Sequence, residues 1–180
     1  MKTSRLEEMT KWYAFVLGAK VQFRDQGAAW MTNDDANRRI AFLAVPGLSD
    51  DPQKTEHNRM HHSAFEYASF ADLILSYDRM RKDGVEPAFC LDHGLTILLY
   101  YKDPEGNFVE LQSDNFSDWK LSGEFMRSSP DFAANPIGTF FDPAKVYDAF
   151  KASTEFKTLQ KAIRDGAYLP NPIPNIGLPA

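Results

Sequence analysis

The feature that most constrains this chain is an order of elements that occurs twice: helix, glycine, strand, strand, tight turn, strand. Gly18 and Gly84, which stop the two helices, stand 66 positions apart, and the turn at 33–37 matches that at 103–107 at an offset near 70. A repeat of this regularity is a structural statement. Each copy makes a βαβββ unit whose half-sheet cannot bury both faces alone. The two copies are therefore expected to curl into a half-open sheet around a shared cavity, in the α+β class.

The first copy, residues 1–47, reads from local patterns. Leu6, Met9, Trp12 or Tyr13, and Val16 recur at helical spacing, with Ser4 as the cap and Gly18 as the stop. The runs 20–23, 28–32 and 39–45 alternate as strands, and Pro46-Gly47 closes the last. Residues 48–58 lack a sustained apolar period and read as a loop. The second copy, 60–115, has a strand at 61–67, a helix at 70–82 and strands at 85–90, 95–101 and 108–112. Its leading strand has only residues 1–3 as a counterpart, so the first strand of copy one is expected to be cut short. Beyond residue 115 the pattern changes. Residues 119–136 read as irregular because of Gly123, Ser128-Ser129-Pro130 and Asn135-Pro136. Asp142-Pro143 announces a short helix, 155–164 another, and the Pro-rich stretch 169–180 an extended end. Residues 116–180 are thus expected to form a C-terminal helical extension that packs on the module or on a partner subunit.

Composition narrows the classes of function. Twenty Lys and Arg against 25 Asp and Glu give a net charge of −5 with no dense basic run, which argues against a nucleic-acid surface. No apolar stretch nears the roughly 20 residues that span a bilayer, so no membrane partner is expected. The single cysteine, Cys90, excludes an internal disulfide and fits a reducing cytoplasm. As a nucleophile it lacks a placed base, and it reads as a buried apolar residue.

Chemistry concentrates around residues 98–112. An aromatic run enters the turn 103–107, where Pro presets one dihedral and Gly or Asn accepts positive φ, and a second run leaves it. On that outgoing strand Phe108 and Glu110 share one face, so a carboxylate stands among apolar neighbours and needs a partner. The best partner lies in 61–67, and histidine with carboxylate suggests a metal site. Of the adjacent histidines, His62 is the candidate ligand and His61, on the opposite face, a packing residue. His93 is either a turn residue or part of the site. Tyr100 and Tyr101 face opposite ways, one to the core and one to the cavity. His57 is expected in solvent, and the Trp12, Tyr13 and Phe15 cluster in helix packing.

His62 opening His-Ser-Ala-Phe-Glu, His93-Gly94 before the next strand, and the run 103–111 together resemble the vicinal oxygen chelate superfamily. Within it they are most similar to type I extradiol ring-cleaving dioxygenases of the catechol and biphenyl-diol class. The resemblance covers residues 2–115, and the stretch from Ile137-Gly138 to Asp142-Pro143 is similar to the C-terminal extension of such enzymes. It implies Fe(II), alternatively Mn(II), held by two histidines and one glutamate, with open positions for a small aromatic diol and O2. It makes His62 the second histidine ligand and Glu110 the carboxylate, with His93 and Tyr100 hydrogen-bonding substrate or oxygen. The first histidine ligand of the family falls a few residues upstream of Met1, so this chain supplies two of three. Where the family carries an acid/base histidine, this sequence has Asn37-Arg38-Arg39. Arg38 is assigned the neutralisation of a catecholate or superoxide, since a guanidinium does not exchange protons near pH 7. The expected protein is a cytoplasmic, homo-oligomeric enzyme of aromatic-ring catabolism. The alternatives are a non-catalytic small-molecule binding module of the same fold and a glyoxalase- or isomerase-like metalloenzyme completed by a dimer partner.

Overall fold

A computed structural model describes residues 1–58 and 60–176. The described residues divide into two compact units, one holding Met1–His61 with Lys102–Phe108, the other His62–Tyr101 with 109–176. The architecture is α+β with two open sheets and helices at the C-terminus, as the repeat predicts.

In the first unit, β1 (Lys2–Thr3), α1 (Leu6–Leu17), β2 (Lys20–Arg24), β3 (Ala28–Thr32) and β4 (Ile40–Ala44) give a sheet of order β1-β4-β3-β2. The leading strand is two residues long and pairs in parallel with β4, Lys2 opposite Leu43 and Thr3 opposite Ala44. Helix α1 buries Met9, Tyr13 and Val16, the stripe that its spacing sets. Tyr13 meets Phe42 of β4 edge to face at 5.1 Å. Gly18 ends the helix at φ 63°, a left-handed conformation that costs glycine nothing. Ser4 is not the cap. Arg5 occupies that position without a side-chain cap bond, while the Thr3 hydroxyl accepts from the Arg5 amide at 2.8 Å and a glutamate, Glu105, accepts from the Ser4 amide at 3.2 Å.

In the second unit, β5 (His62–Glu66), α2 (Phe70–Lys82), β6 (Phe89–Asp92), β7 (Thr96–Lys102) and β8 (Phe108–Asp114) repeat the sequence of elements. Their order, β5-β8-β7-β6, repeats that of the first sheet, and β9 (Thr139–Phe140) adds an edge against β6. Buried α2 residues Leu73, Ile74, Tyr77 and Met80 form the helix's apolar face. Residues 119–136 are more ordered than their Gly, Ser and Pro content suggests. They form α3 (Trp119–Ser128) and α4 (Pro130–Ala134), capped by Asp118 and Ser129, whose side chains accept from Lys120 N and Phe132 N. Helices α5 (Pro143–Lys151) and α6 (Phe156–Arg164) follow, with Asp142 capping α5. Helix α5 packs on α2 and α6 on β6 and β9, and Phe70 of α2 stacks on Phe156 at 4.6 Å. Residues 169–176 carry neither helix nor strand, and the end of the Pro-rich stretch lies outside the described residues. No helix among the described residues is long and apolar enough to cross a membrane.

Candidate functional site

The hairpin joining β7 to β8 is folded by its first residue. Asp103 Oδ1 accepts from the backbone amides of Glu105 at 3.0 Å and Asn107 at 2.9 Å, and Gly106 takes φ 75°. This Asx-type closure explains why Asp, Gly and Asn stand where they do. Within the first unit the same turn is anchored to the chain start. Glu105 accepts from the Thr3 hydroxyl at 2.7 Å, and the Pro104 carbonyl from Arg5 Nη1 at 2.6 Å. The Tyr13 hydroxyl donates to Asp103 Oδ2 at 3.2 Å. Burial, with the adjacent carboxylate second, pushes its own ionisation far up, so it stays a donor.

Beyond that turn, in the second unit, three predicted residues converge. His62 on β5, Tyr100 on β7 and Glu110 on β8 lie on neighbouring strands, and His62 Nε2 is 3.2 Å from Glu110 Oε2. The Tyr100 hydroxyl donates to the same Glu110 oxygen. The His62 and Tyr100 rings meet edge to face at 5.2 Å, and Phe89 of β6, directly opposite Tyr100, stacks on it at 4.3 Å. Glu110 is buried, its side chain 7% exposed, whereas that of His62 is 34% exposed. The site thus pairs a buried carboxylate with a partly exposed imidazole. Burial first, then the bond to Glu110, drives the Tyr100 ionisation far above its ordinary range, which keeps the hydroxyl a neutral donor. Tyr101, facing the other way, is fully buried core.

The remaining candidates make contacts of their own. His93, beyond the end of β6, has its Nδ1 2.7 Å from the Ile137 carbonyl oxygen. It lines a cavity of about 250 Å³ together with Phe125, Asp131, Phe132, Asn135 and Arg164. That Ile137 is its partner is not visible in the sequence pattern. Arg38 belongs to the first unit, exposed on the turn before β4, where it lines a surface depression with Gln22, Phe23, Trp30 and Asn37. His61 stacks on Phe108 at 5.3 Å, and His57 is paired with Asp51 at 2.8 Å and mostly exposed. Cys90 is buried, and that burial pushes its thiol up, away from nucleophilic character.

The donor pair can be tested against a metal. Two ligands bound at about 2.1 Å and roughly at right angles hold their donor atoms about 3 Å apart. The 3.2 Å between His62 Nε2 and Glu110 Oε2 meets that requirement, and one imidazole nitrogen with one carboxylate oxygen suits a borderline divalent ion. The Tyr100 hydroxyl supplies the outer support such a carboxylate needs. Among the described residues no cluster of three or more His, Cys, Asp and Glu converges.

Residues 2–111 match the Glyoxalase/Bleomycin resistance protein/Dioxygenase superfamily. The chain is 37% identical over 176 residues to biphenyl-2,3-diol 1,2-dioxygenase 2 of Rhodococcus globerulus, covering 96% of this chain and 92% of that protein. It is 37% identical over 153 residues to biphenyl-2,3-diol 1,2-dioxygenase 3 of the same organism, covering 84% of this chain and 80% of that one. Among solved structures, a glyoxalase/dioxygenase from Nostoc punctiforme superposes with a TM-score of 0.51 at 16% identity, over 63% of this chain and 86% of that chain, a likeness of fold.

Proposed function

Since the chain belongs to the glyoxalase/bleomycin resistance protein/dioxygenase superfamily, we propose that it is an extradiol-type dioxygenase that opens a catechol-like aromatic diol with O2. The observation that carries this reading is the convergence of His62 Nε2 and Glu110 Oε2 at 3.2 Å, in a chain whose relatives are named for diol cleavage. His62 and Glu110 are the residues that would hold a ferrous ion, with manganese as the alternative. A ferrous ion held there would supply open positions for the two diol oxygens to chelate and a route for electron density from ring to O2.

The chain's own residues then have separable tasks. Glu110, sealed from water and fixed by the Tyr100 hydroxyl, presents its carboxylate in one orientation. Tyr100 holds that orientation through the bond its hydroxyl donates to Glu110. Phe89 stacked on Tyr100 keeps the ring from swinging away. His93 keeps Nε2 for a hydrogen bond to the substrate or the bound oxygen, because its Nδ1 is engaged by Ile137. Arg38 is assigned the neutralisation of an anionic reactant. The enzyme is proposed to be a cytoplasmic homo-oligomer.

A second reading, a small-molecule binding module without turnover, draws on the count of converging donors, which is two among the described residues. One experiment separates them. The full-length protein is incubated anaerobically with Fe(II), Mn(II) or a chelator, then mixed with an aromatic diol and O2 while a coloured ring-opened product is followed. Turnover that needs the metal supports the dioxygenase. Diol binding that survives chelation and His62→Ala, with no product, supports the binding module.

A further inference from the structure

We propose that the turn 135–138 of the C-terminal extension is a positioning device that locks His93 in a single tautomer. Strand β9 lies against β6, with Thr139 opposite Asp92 and Phe140 opposite Leu91, which brings the preceding turn over the end of β6. There the two backbones approach so closely that only glycine fits. A Cβ on Gly138 would lie 2.0 Å from the Asp92 carbonyl oxygen and 2.8 Å from His93 Cα, and Gly138 has φ +84°. Asn135 clasps the turn shut: its amide donates to the Gly138 carbonyl at 3.0 Å, and its Oδ1 accepts from the Gly138 amide at 3.1 Å. The Ile137 carbonyl is thereby fixed 2.7 Å from His93 Nδ1.

A carbonyl oxygen accepts and never donates, so the proton sits on Nδ1 and the lone pair of the neutral ring on Nε2. The ring can gain and lose a proton at Nε2 without breaking this bond. From the other side Asp92 Oδ1 accepts from the Gly94 amide at 2.7 Å and from Asn115 Nδ2 at 3.0 Å, which holds the bend that carries His93. Gly138 and Asn135 are thus positioning residues that act through His93. Only the catalytic consequence rests on the reading of His93 as a hydrogen-bond partner of the substrate or oxygen; the tautomer does not.

The test reads the tautomer directly. Nitrogen-15 spectra of the four imidazoles of the full-length protein, with His93 assigned by its loss in His93→Gln, are compared for wild type, Gly138→Ala and Asn135→Ala, alongside steady-state kinetics with ferrous ion and an aromatic diol. The proposal expects the Nδ1–H form in the wild type. In Gly138→Ala it expects a shift toward Nε2–H with kcat falling about 10²-fold at little-changed KM, and in Asn135→Ala a smaller shift the same way. A wild-type His93 in the Nε2–H form, or a folded Gly138→Ala that retains Nδ1–H, overturns it. Should Gly138→Ala not fold, Asn135→Ala decides by the same signal: a shift supports the lock and an unmoved Nδ1–H form overturns it. A tautomer that responds as expected in a protein that opens no diol upholds the lock and removes the dioxygenase reading instead.

Discussion

At the scale of single residues, the centre of the account is one carboxylate oxygen with two neighbours. Glu110 Oε2 receives the Tyr100 hydroxyl and stands 3.2 Å from His62 Nε2. Tyr100→Phe removes the hydroxyl and leaves the stacked ring in place. Ferrous affinity, read by competition with a chelating dye, should fall about 10- to 100-fold while the fold is kept; an unchanged affinity would show that the hydroxyl does not orient the carboxylate. Glu110 is legible in the sequence because a charge on an alternating apolar strand is an anomaly, and His62 because it opens the neighbouring run. The Tyr100 hydroxyl has no such mark. Its pattern is the same as that of Tyr101; the family resemblance is what singles out Tyr100, and the Phe89 ring set opposite it is seen only in the strand pairing. The roles of His93 and Arg38 stand as proposals, and the partner of His93 is a backbone carbonyl, which no side-chain pattern can announce.

At the scale of elements, helices and strands of the repeat follow their periodicity to within a few residues, since each buries one face. The end of α2 shows how such a helix is fixed. Asp78 Oδ2 accepts from Lys82 Nζ at 2.6 Å and Oδ1 from Arg81 Nε at 3.0 Å, and the Arg81 guanidinium lies over the rings of Tyr77 at 5.3 Å and Tyr147 of α5 at 4.6 Å. Lys82 first, and Arg81 after it, hold the Asp78 carboxyl at about 2, below its ordinary 3.8. A folded value below the unfolded one contributes stability that is whole above the unfolded value and lost as pH falls through the folded one. Asp78→Asn should therefore lower Tm at pH 7, and its deficit against the wild type should close between pH 4 and pH 2; a deficit constant with pH would assign the loss to packing. Where sequence reading fails at this scale is α3 and α4. Gly123 and Ser128-Ser129-Pro130 look like loop punctuation, yet Ser129-Pro130 is the same cap-and-proline start as Asp142-Pro143, and Asp118 is a cap as well. Ser4 errs the other way, a capping residue type displaced by one position because Thr3 and Glu105 engage the local backbone.

At the scale of the whole molecule, the repeat is legible because its two copies share one strand order, the leading strand lying beside the last in each sheet. Two features escape it. The tip of the second hairpin, residues 102–108, belongs to the first compact unit, through bonds such as Thr3 to Glu105 that span about a hundred positions of chain and leave no periodicity. The extension, for its part, adds a strand to β6 and helices to α2, β6 and β9, partners that an amphipathic pattern does not name. These placements all serve one claim, that His62 and Glu110 hold the metal at which a diol is opened. The measurement that tests it most directly is O2 uptake against diol consumed by ferrous-loaded wild type and Glu110→Gln, a variant that keeps the shape of the side chain and removes its charge. The account predicts equimolar uptake in the wild type and a collapse of both rates in Glu110→Gln; equal rates in the two proteins, or no uptake by the loaded wild type, would contradict it.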